Sequence, residues 1–195
     1  MEWVEIYLPD VEISVVLDVG SHNGTDGMRF KTKYPQAKVV AIEADKSLYD
    51  KMLKNKKINE LEILYYAVCD CDGMINFHHN DGVRMGSGSI HKPKPAIFRY
   101  EGMSFSDPYE IPSTRLDTLC ESMGIEKIDI IHMDIQGAEH EALIGLGEMR
   151  PKMIFLEIGY RVYEGAVSPV DKLIEMGYKK IDVPIKGDEL WIYNN

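Results

Sequence analysis

The sequence predicts a doubly wound α/β domain: a mostly parallel sheet with helices on both faces, closed by an antiparallel C-terminal strand pair. Three features carry this expectation. Continuous Val/Ile/Leu runs alternate with amphipathic stretches from Val15 to Met176, as in sheets buried on both faces. The stretch DVGSHNGTDG (Asp18–Gly27) stands directly behind the first apolar run, where such folds turn from strand to helix. The last two runs, YKKIDVPI and ELWIYNN, flank the short turn KGD and read as an antiparallel pair.

The elements follow in order. VVLDVG (Val15–Gly20) is a buried strand, and DGMRFKTKY (Asp26–Tyr34) a helix ended by Pro35. KVVAIEA (Lys38–Ala44) is the second strand; Asp45 or Ser47 caps the helix SLYDKMLKNKK. EILYYAVCD (Glu62–Asp70) is the third strand. GMINFHH reads as a short hairpin strand and IPSTRLDTLC as a strand leading into a helix. IDIIHMDI (Ile128–Ile135), the helix AEHEALIGL (Ala138–Leu146) and the strand KMIFLEIGY (Lys152–Tyr160) come next. In SPVDKLIEM, Ser168 caps a helix whose first position is Pro169. Crossovers are expected to be right-handed.

At 195 residues and 45% apolar content the chain makes one globular domain, 1–195. The segment around 71–117 breaks the alternation and reads as an inserted loop or lid, since structureless loops of that length are usually functional. The net charge of −10 disfavours a nucleic-acid partner. KNKK (Lys54–Lys57) and HKPKP (His91–Pro95) read as a helix end and a loop rather than a phosphate patch. Cys69, Cys71 and Cys120 are too few and too irregular for a disulfide framework, and no CxxC pair occurs. The start MEWVEIYLPDVEIS lacks the basic and apolar regions of a signal peptide, and no run is long enough to span a membrane. A cytoplasmic protein without membrane or nucleic-acid partners is expected; no oligomeric state is implied.

The chemistry-bearing residues gather at strand ends. Gly20, Gly24 and Gly27 depart from the strict GxGxxG spacing of dinucleotide binding. Gly20 lets a ligand lie against the backbone, and the helix start near Gly24 offers N–H groups to a carboxylate. Asp18 can accept from an ammonium, so the loop suits a ligand with an amino-acid end. Glu43, 25 residues after Asp18 at the end of the second strand, suits a ribose diol. Asp134 ends a strand at the ligand-binding edge, and Glu157 ends the next one within an apolar run. His132 shares the face of Asp134. Glu139 lies in the first turn of the following helix, where it also complements the helix dipole.

VVLDVGSHNGTDG, VVAIEAD, YYAVCDCDG, STRLDTL, IDIIHMDIQGAEHEALIG and MIFLEIG occur in that order. Together they resemble the FkbM family of S-adenosylmethionine-dependent methyltransferases over Val15 to Gly159. The resemblance implies a Rossmann-like class I methyltransferase fold, with the antiparallel terminal pair usual there. It implies methyl transfer to oxygen, often on a sugar or polyketide hydroxyl. It places the loop Gly20, Ser21, His22, Asn23, Gly24 on the methionine part of S-adenosylmethionine. Glu43, with Ala44 beside it, falls on the ribose, Ala67 and Val68 on the adenine, and Asp134 near the methyl. The chain departs from the commoner pattern in having Gln136 where an acid is frequent, and Ala44 where a proline often follows the acid.

A hydroxyl acceptor is weakly acidic, so a base or a metal is expected near the methyl. Asp134 is the first candidate base, with Glu157, Glu139 and His132 behind it. A divalent cation on Asp134 and a second carboxylate is the other route to an activated hydroxyl, although no motif fixes a metal site. The acceptor is expected to be a small molecule or glycan. Asn80–Glu110 is the expected lid, with RMGSGSI as its hinge and Phe98, Tyr100, Phe105 and Tyr109 as aromatic faces. An NAD(P)-dependent oxidoreductase and a non-catalytic cofactor-binding protein are the rival readings. The loose glycine spacing, the terminal strand pair and the absence of a YxxxK pair count against the first.

Overall fold

The first strand, β1 (Val15–Val19), pairs in parallel with β2 (Lys38–Glu43) and β7 (Ile130–Met133). β3 (Glu62–Tyr65) extends the sheet beyond β2, and β8 (Met153–Glu157) extends it beyond β7. β10 (Asp188–Tyr193) then inserts antiparallel between β8 and β9 (Tyr178–Ile181). The order is β3-β2-β1-β7-β8-β10-β9, a parallel sheet with the expected antiparallel pair. This computed structural model describes residues 2–83, 86–95, 97, 102–184 and 188–194; the predicted KGD turn lies mostly outside them.

Strand alternation sends side chains to two cores. α1 (Glu2–Tyr7), α2 (Thr25–Lys33) and α3 (Lys46–Lys54) bring Val4, Phe30 and Met52 onto Val16, Val39, Ile130 and Phe155. α4 (Leu116–Ser122), α5 (Glu139–Ile144) and α6 (Val170–Glu175) cover Leu17, Ile42, Ile131 and Leu156 on the other face. Asp45 caps α3, accepting from the Ser47 and Leu48 N–H groups at 2.8 and 3.1 Å. The last helix starts one residue later than the sequence predicts: Pro169 is its cap, and Ser168 Oγ accepts only a 3.4 Å bond from Val170 N–H.

The third strand does not run unbroken to Asp70. It leaves the main sheet where its partner β2 ends, at the Glu43–Tyr65 pair. Beyond Tyr66, β4 (Ala67–Val68) pairs with β6 (Tyr109–Thr114), and Cys69 N–H continues that pairing to the Thr114 carbonyl. β5 (Gly73–Phe77) completes a second sheet, order β4-β6-β5. The 71–117 insertion thus contains the two strands expected at GMINFHH and IPSTRLDTLC, paired with each other. Between them, bridges join His78 to Ser89, Asn80 to Phe105 and Pro93 to Tyr163.

Asp129 fastens the amino-terminal edge. Its buried carboxylate accepts from the Ser14 and Val15 N–H groups at 2.7 and 3.0 Å and from Lys152 Nζ at 2.6 Å. These bonds outweigh burial and hold its pKa below the usual range. Asp129→Ala leaves two backbone donors unpaired and should lower unfolding free energy by about 2 kcal/mol, read as an earlier urea midpoint with unchanged slope.

Candidate active site

A cleft opens at the carboxyl ends of β1, β2, β4 and β7. Val19, Gly20, Glu43, Ala67, Val68 and Asp134 line it, with Ala44 and Tyr66 beside them. Gly20 is obligatory: its φ is +83°, and a Cβ there would lie 1.8 Å from the Asp134 carbonyl oxygen. Its N–H and that of Ser21 donate to the Ile42 carbonyl at 2.9 and 3.0 Å, which folds the loop over β2. Glu43 is buried with its carboxylate accepting from the His22 and Asp45 N–H groups, both at 2.7 Å. Burial, opposed by those bonds, pushes its pKa up to about 7.

The glycine loop differs from expectation in three respects. Asp18 does not line the cleft. It points to the α2 face, where Oδ2 accepts from Ser21 Oγ and, at 2.9 Å, from Gly27 N–H, while Oδ1 meets His132 Nδ1 at 2.8 Å. It is therefore already occupied and does not face an ammonium. The start of α2 is not an open anion site either, because Asn23 Oδ1 holds Thr25 N–H and Asp18 holds Gly27 N–H. Of the five residues Gly20–Gly24, only Gly20 lines the cleft. Ser21 is buried on Asp18, His22 is exposed with its ring beside Gly86, Asn23 is exposed, and Gly24 packs against Ile58.

Asp134 is fixed by its neighbours. Gln136, itself in the left-handed region at φ 54°, donates from Nε2 to Asp134 Oδ1 at 2.6 Å. Gln136 Oε1 accepts from Tyr163 O–H at 3.2 Å, and its carbonyl from Ser89 Oγ at 2.8 Å. An acid at position 136 has no such proton to offer Asp134, so the departure from the family pattern has a direct structural use. The Glu157 carboxyl lies within hydrogen-bonding reach of Asp134, and both are partly buried. Burial, then the bond to Asp134 and its charge, pushes Glu157 up to about 8, and burial raises Asp134 as well.

His132 projects to the face that carries Asp18. Burial opposes its charge, yet the bond to Asp18 and the nearby Asp26 and Asp188 carboxylates raise its pKa to about 9. It is an imidazolium at neutral pH, not a free base. Glu139 is fully buried, its Oε1 accepting from the Ile135 and Gly137 N–H groups at 3.3 and 3.1 Å. Burial pushes it up to about 7, and Oε2 has no partner among the described residues. It holds the turn that presents Asp134.

The glycine-rich part of the expected lid roofs the cleft, and what sequence reasoning missed are the bonds that hold it there. Gly86, Gly88, Ser89 and Ile90 line the cleft, pinned by the Ser89 bond to Gln136 and by Tyr163 O–H on the Ser87 carbonyl at 2.9 Å. His79 ties to Asp45, which is also the α3 cap. These partners lie tens of residues apart, so no local pattern announces them. Of the expected lid, Arg84, Met85, Phe98 and Tyr100 lie outside the described residues. Among the described residues, Cys69, Asp70 and Cys71 form a cluster of three donor groups within 4.8 Å of one another. No described helix is long and apolar enough to cross a membrane.

The family model for the methyltransferase FkbM domain matches residues 18–180. The chain belongs to the FkbM methyltransferase family. The 2-O-methyltransferase NoeI of Sinorhizobium fredii is 31% identical over 171 residues, covering 83% of this chain and 70% of that protein. The methyltransferase sdnD of Sordaria araneosa is 26% identical over 156 residues, 68% of this chain and 60% of sdnD. A chain of the fibrillarin/Nop5p complex shares the fold, with a TM-score of 0.51 at 14% identity over 100% of this chain and 81% of that one. This FkbM protein is thus a class I, S-adenosylmethionine-dependent methyltransferase.

Glu43, Glu139 and Glu157 keep protons in the folded chain up to about 7, 7 and 8, whereas unfolded glutamates release them near about 4.3. His132 keeps its proton up to about 9, against about 6.5 unfolded. The folded chain therefore binds more protons across this window, and stability falls as pH rises through it. The thermal midpoint should drop as pH is raised from about 6 to about 9, and Glu139→Gln should flatten that decline. A midpoint that climbs over this range would contradict the assignment.

Proposed function

We propose that this FkbM methyltransferase methylates a hydroxyl of a sugar, glycan or small natural product, using the Asp134–Glu157 pair as base. The observation that carries the reading is this close pair of carboxyls, with Asp134 on the wall of the cleft that also holds Glu43. The 2-O-methyltransferase activity in the name of NoeI supports oxygen as the target. The acidic chain supports a neutral acceptor rather than a nucleic acid. We place the enzyme in the cytoplasm.

The residues fit the cofactor. Each Glu43 oxygen accepts one backbone hydrogen bond and keeps a lone pair for a ribose hydroxyl. Ala67 and Val68 give an apolar wall for adenine, and Gly20 allows close approach. When bound, S-adenosylmethionine supplies a methyl group on a sulfonium, a leaving group that needs no protonation. The protein's part is to hold the acceptor in line and take its proton. Gln136 and Tyr163 fix the Asp134 carboxylate for that purpose. Once Glu157 has lost its proton, a carboxylate is free to receive the hydroxyl's.

Calorimetric titration should show S-adenosylhomocysteine binding and no NADH binding, with Glu43→Ala weakening the former about tenfold or more. NADH binding in its place would defeat the reading. With an acceptor in hand, the rate should rise with pH through about 8, following Glu157, and Glu157→Gln should remove that limb. Repeating the assay with and without Mg²⁺ separates the carboxylate base from a metal-activated hydroxyl.

A further inference from the structure

Strand register sets a second row of side chains beneath the carboxylate pair. Asp18 stands beside His132, and His132 beside Phe155, across three adjacent strands. One step further along, Glu157 stands opposite Asp188 of β10. α1 and α2 do not fill the space above this row. They leave a cavity of about 290 Å³, lined by Trp3, Phe30 and Phe155 with Asp26, Arg29, His132 and Asp188. That volume lies at the lower end of small-molecule sites.

This cavity and the cofactor cleft approach one another at the base. Asp134 lines the cleft, Glu157 lies within hydrogen-bonding reach of Asp134, and Asp188 opposite Glu157 lines the second cavity. We propose that the second cavity is the acceptor site and that it takes a neutral sugar ring. The inference rests on the O-methyltransferase reading above.

The wall chemistry selects the class. Three aromatic side chains offer flat apolar faces, which suit the C–H faces of a pyranose. Hydroxyls need donors and acceptors together, and both are present. His132 Nδ1 is taken by Asp18, so Nε2 is the nitrogen left to donate. The Asp188 carboxylate is half buried with no hydrogen bond among the described residues, and is left to accept. Arg29 and His132 face Asp26 and Asp188 across the lining, so a phosphorylated acceptor finds no excess of positive charge. An ammonium acceptor would find Asp18 already paired with His132 and Asp26 with Arg29 at 2.6 Å. A neutral polyol meets neither obstacle.

Trp3 supplies the reporter, since the only other tryptophan, Trp191, is buried in the core and can be changed to Phe. In Trp191→Phe saturated with S-adenosylhomocysteine, methyl glucopyranoside, galactopyranoside and mannopyranoside are titrated against Trp3 emission, with catechol and ethanolamine as the aromatic and cationic alternatives. Saturation-transfer NMR on the unmodified chain repeats the test without the core substitution. A saturable response to at least one pyranoside, weakened about tenfold in Asp188→Asn with S-adenosylhomocysteine binding unchanged, is the expected result. A response to catechol or ethanolamine alone overturns the sugar assignment. Pyranoside binding indifferent to Asp188→Asn, or no pyranoside binding by a chain that binds S-adenosylhomocysteine, overturns the site while leaving the O-methyltransferase reading intact. Failure to bind S-adenosylhomocysteine removes both.

Discussion

The carboxylate of Asp18 is fully buried, and the catalytic edge of the sheet is organised around its charge. It reaches Ser21 and Gly27, fixing how the chain leaves β1 and enters α2, and it reaches His132 on the neighbouring strand. A buried carboxylate is tolerable only where its lone pairs are matched. Those donors exist only when the loop and the helix have the geometry seen here. The requirement therefore runs in both directions: the charge demands the loop, and the loop positions Gly20 beneath Asp134 at a distance no side chain permits.

The same charge sets the electrostatics further along. It keeps His132 cationic, and that cation acts on Asp134, Glu157 and Asp188 alike. Without it, burial would favour neutral carboxyls more strongly still. With it, Glu157, pushed up to about 8, can still give up its proton within reach of neutral pH. Glu43 and Glu139 lie in the same low-dielectric rim and are raised by the same cause. The site thus concentrates groups whose ionisation the fold resists, a common cost of placing acid–base chemistry out of water.

Much of this was legible in the sequence because it is local. The run before Asp18, the glycine at 20, the acid closing β2 and the Asp45 cap each leave a signature within a few residues. So does the short linkage of the terminal strands, which identified β10 as antiparallel. What escaped depends on partners distant in sequence. Nothing near Asp18 reveals that His132 and Gly27 claim its oxygens, because parity along a strand gives a face but not the occupant of that face. The break at Tyr66 was hidden for a related reason. Glu62–Asp70 is uniformly suited to a strand, and it divides only because β2 has run out and β6 offers Ala67 and Val68 another edge.

That division ties the inserted segment to the cleft at the sheet edge. Ala67 and Val68 belong to the small sheet, and that sheet is built chiefly from β5 and β6 of the insertion. The roof at Gly86–Ile90 hangs from the same unit. A replacement of the insertion wholesale would also rebuild one wall and the roof of that cleft. Diversification of this scaffold is therefore easier by point changes within the segment, or along α1 and α2, than by exchange of the segment as a module.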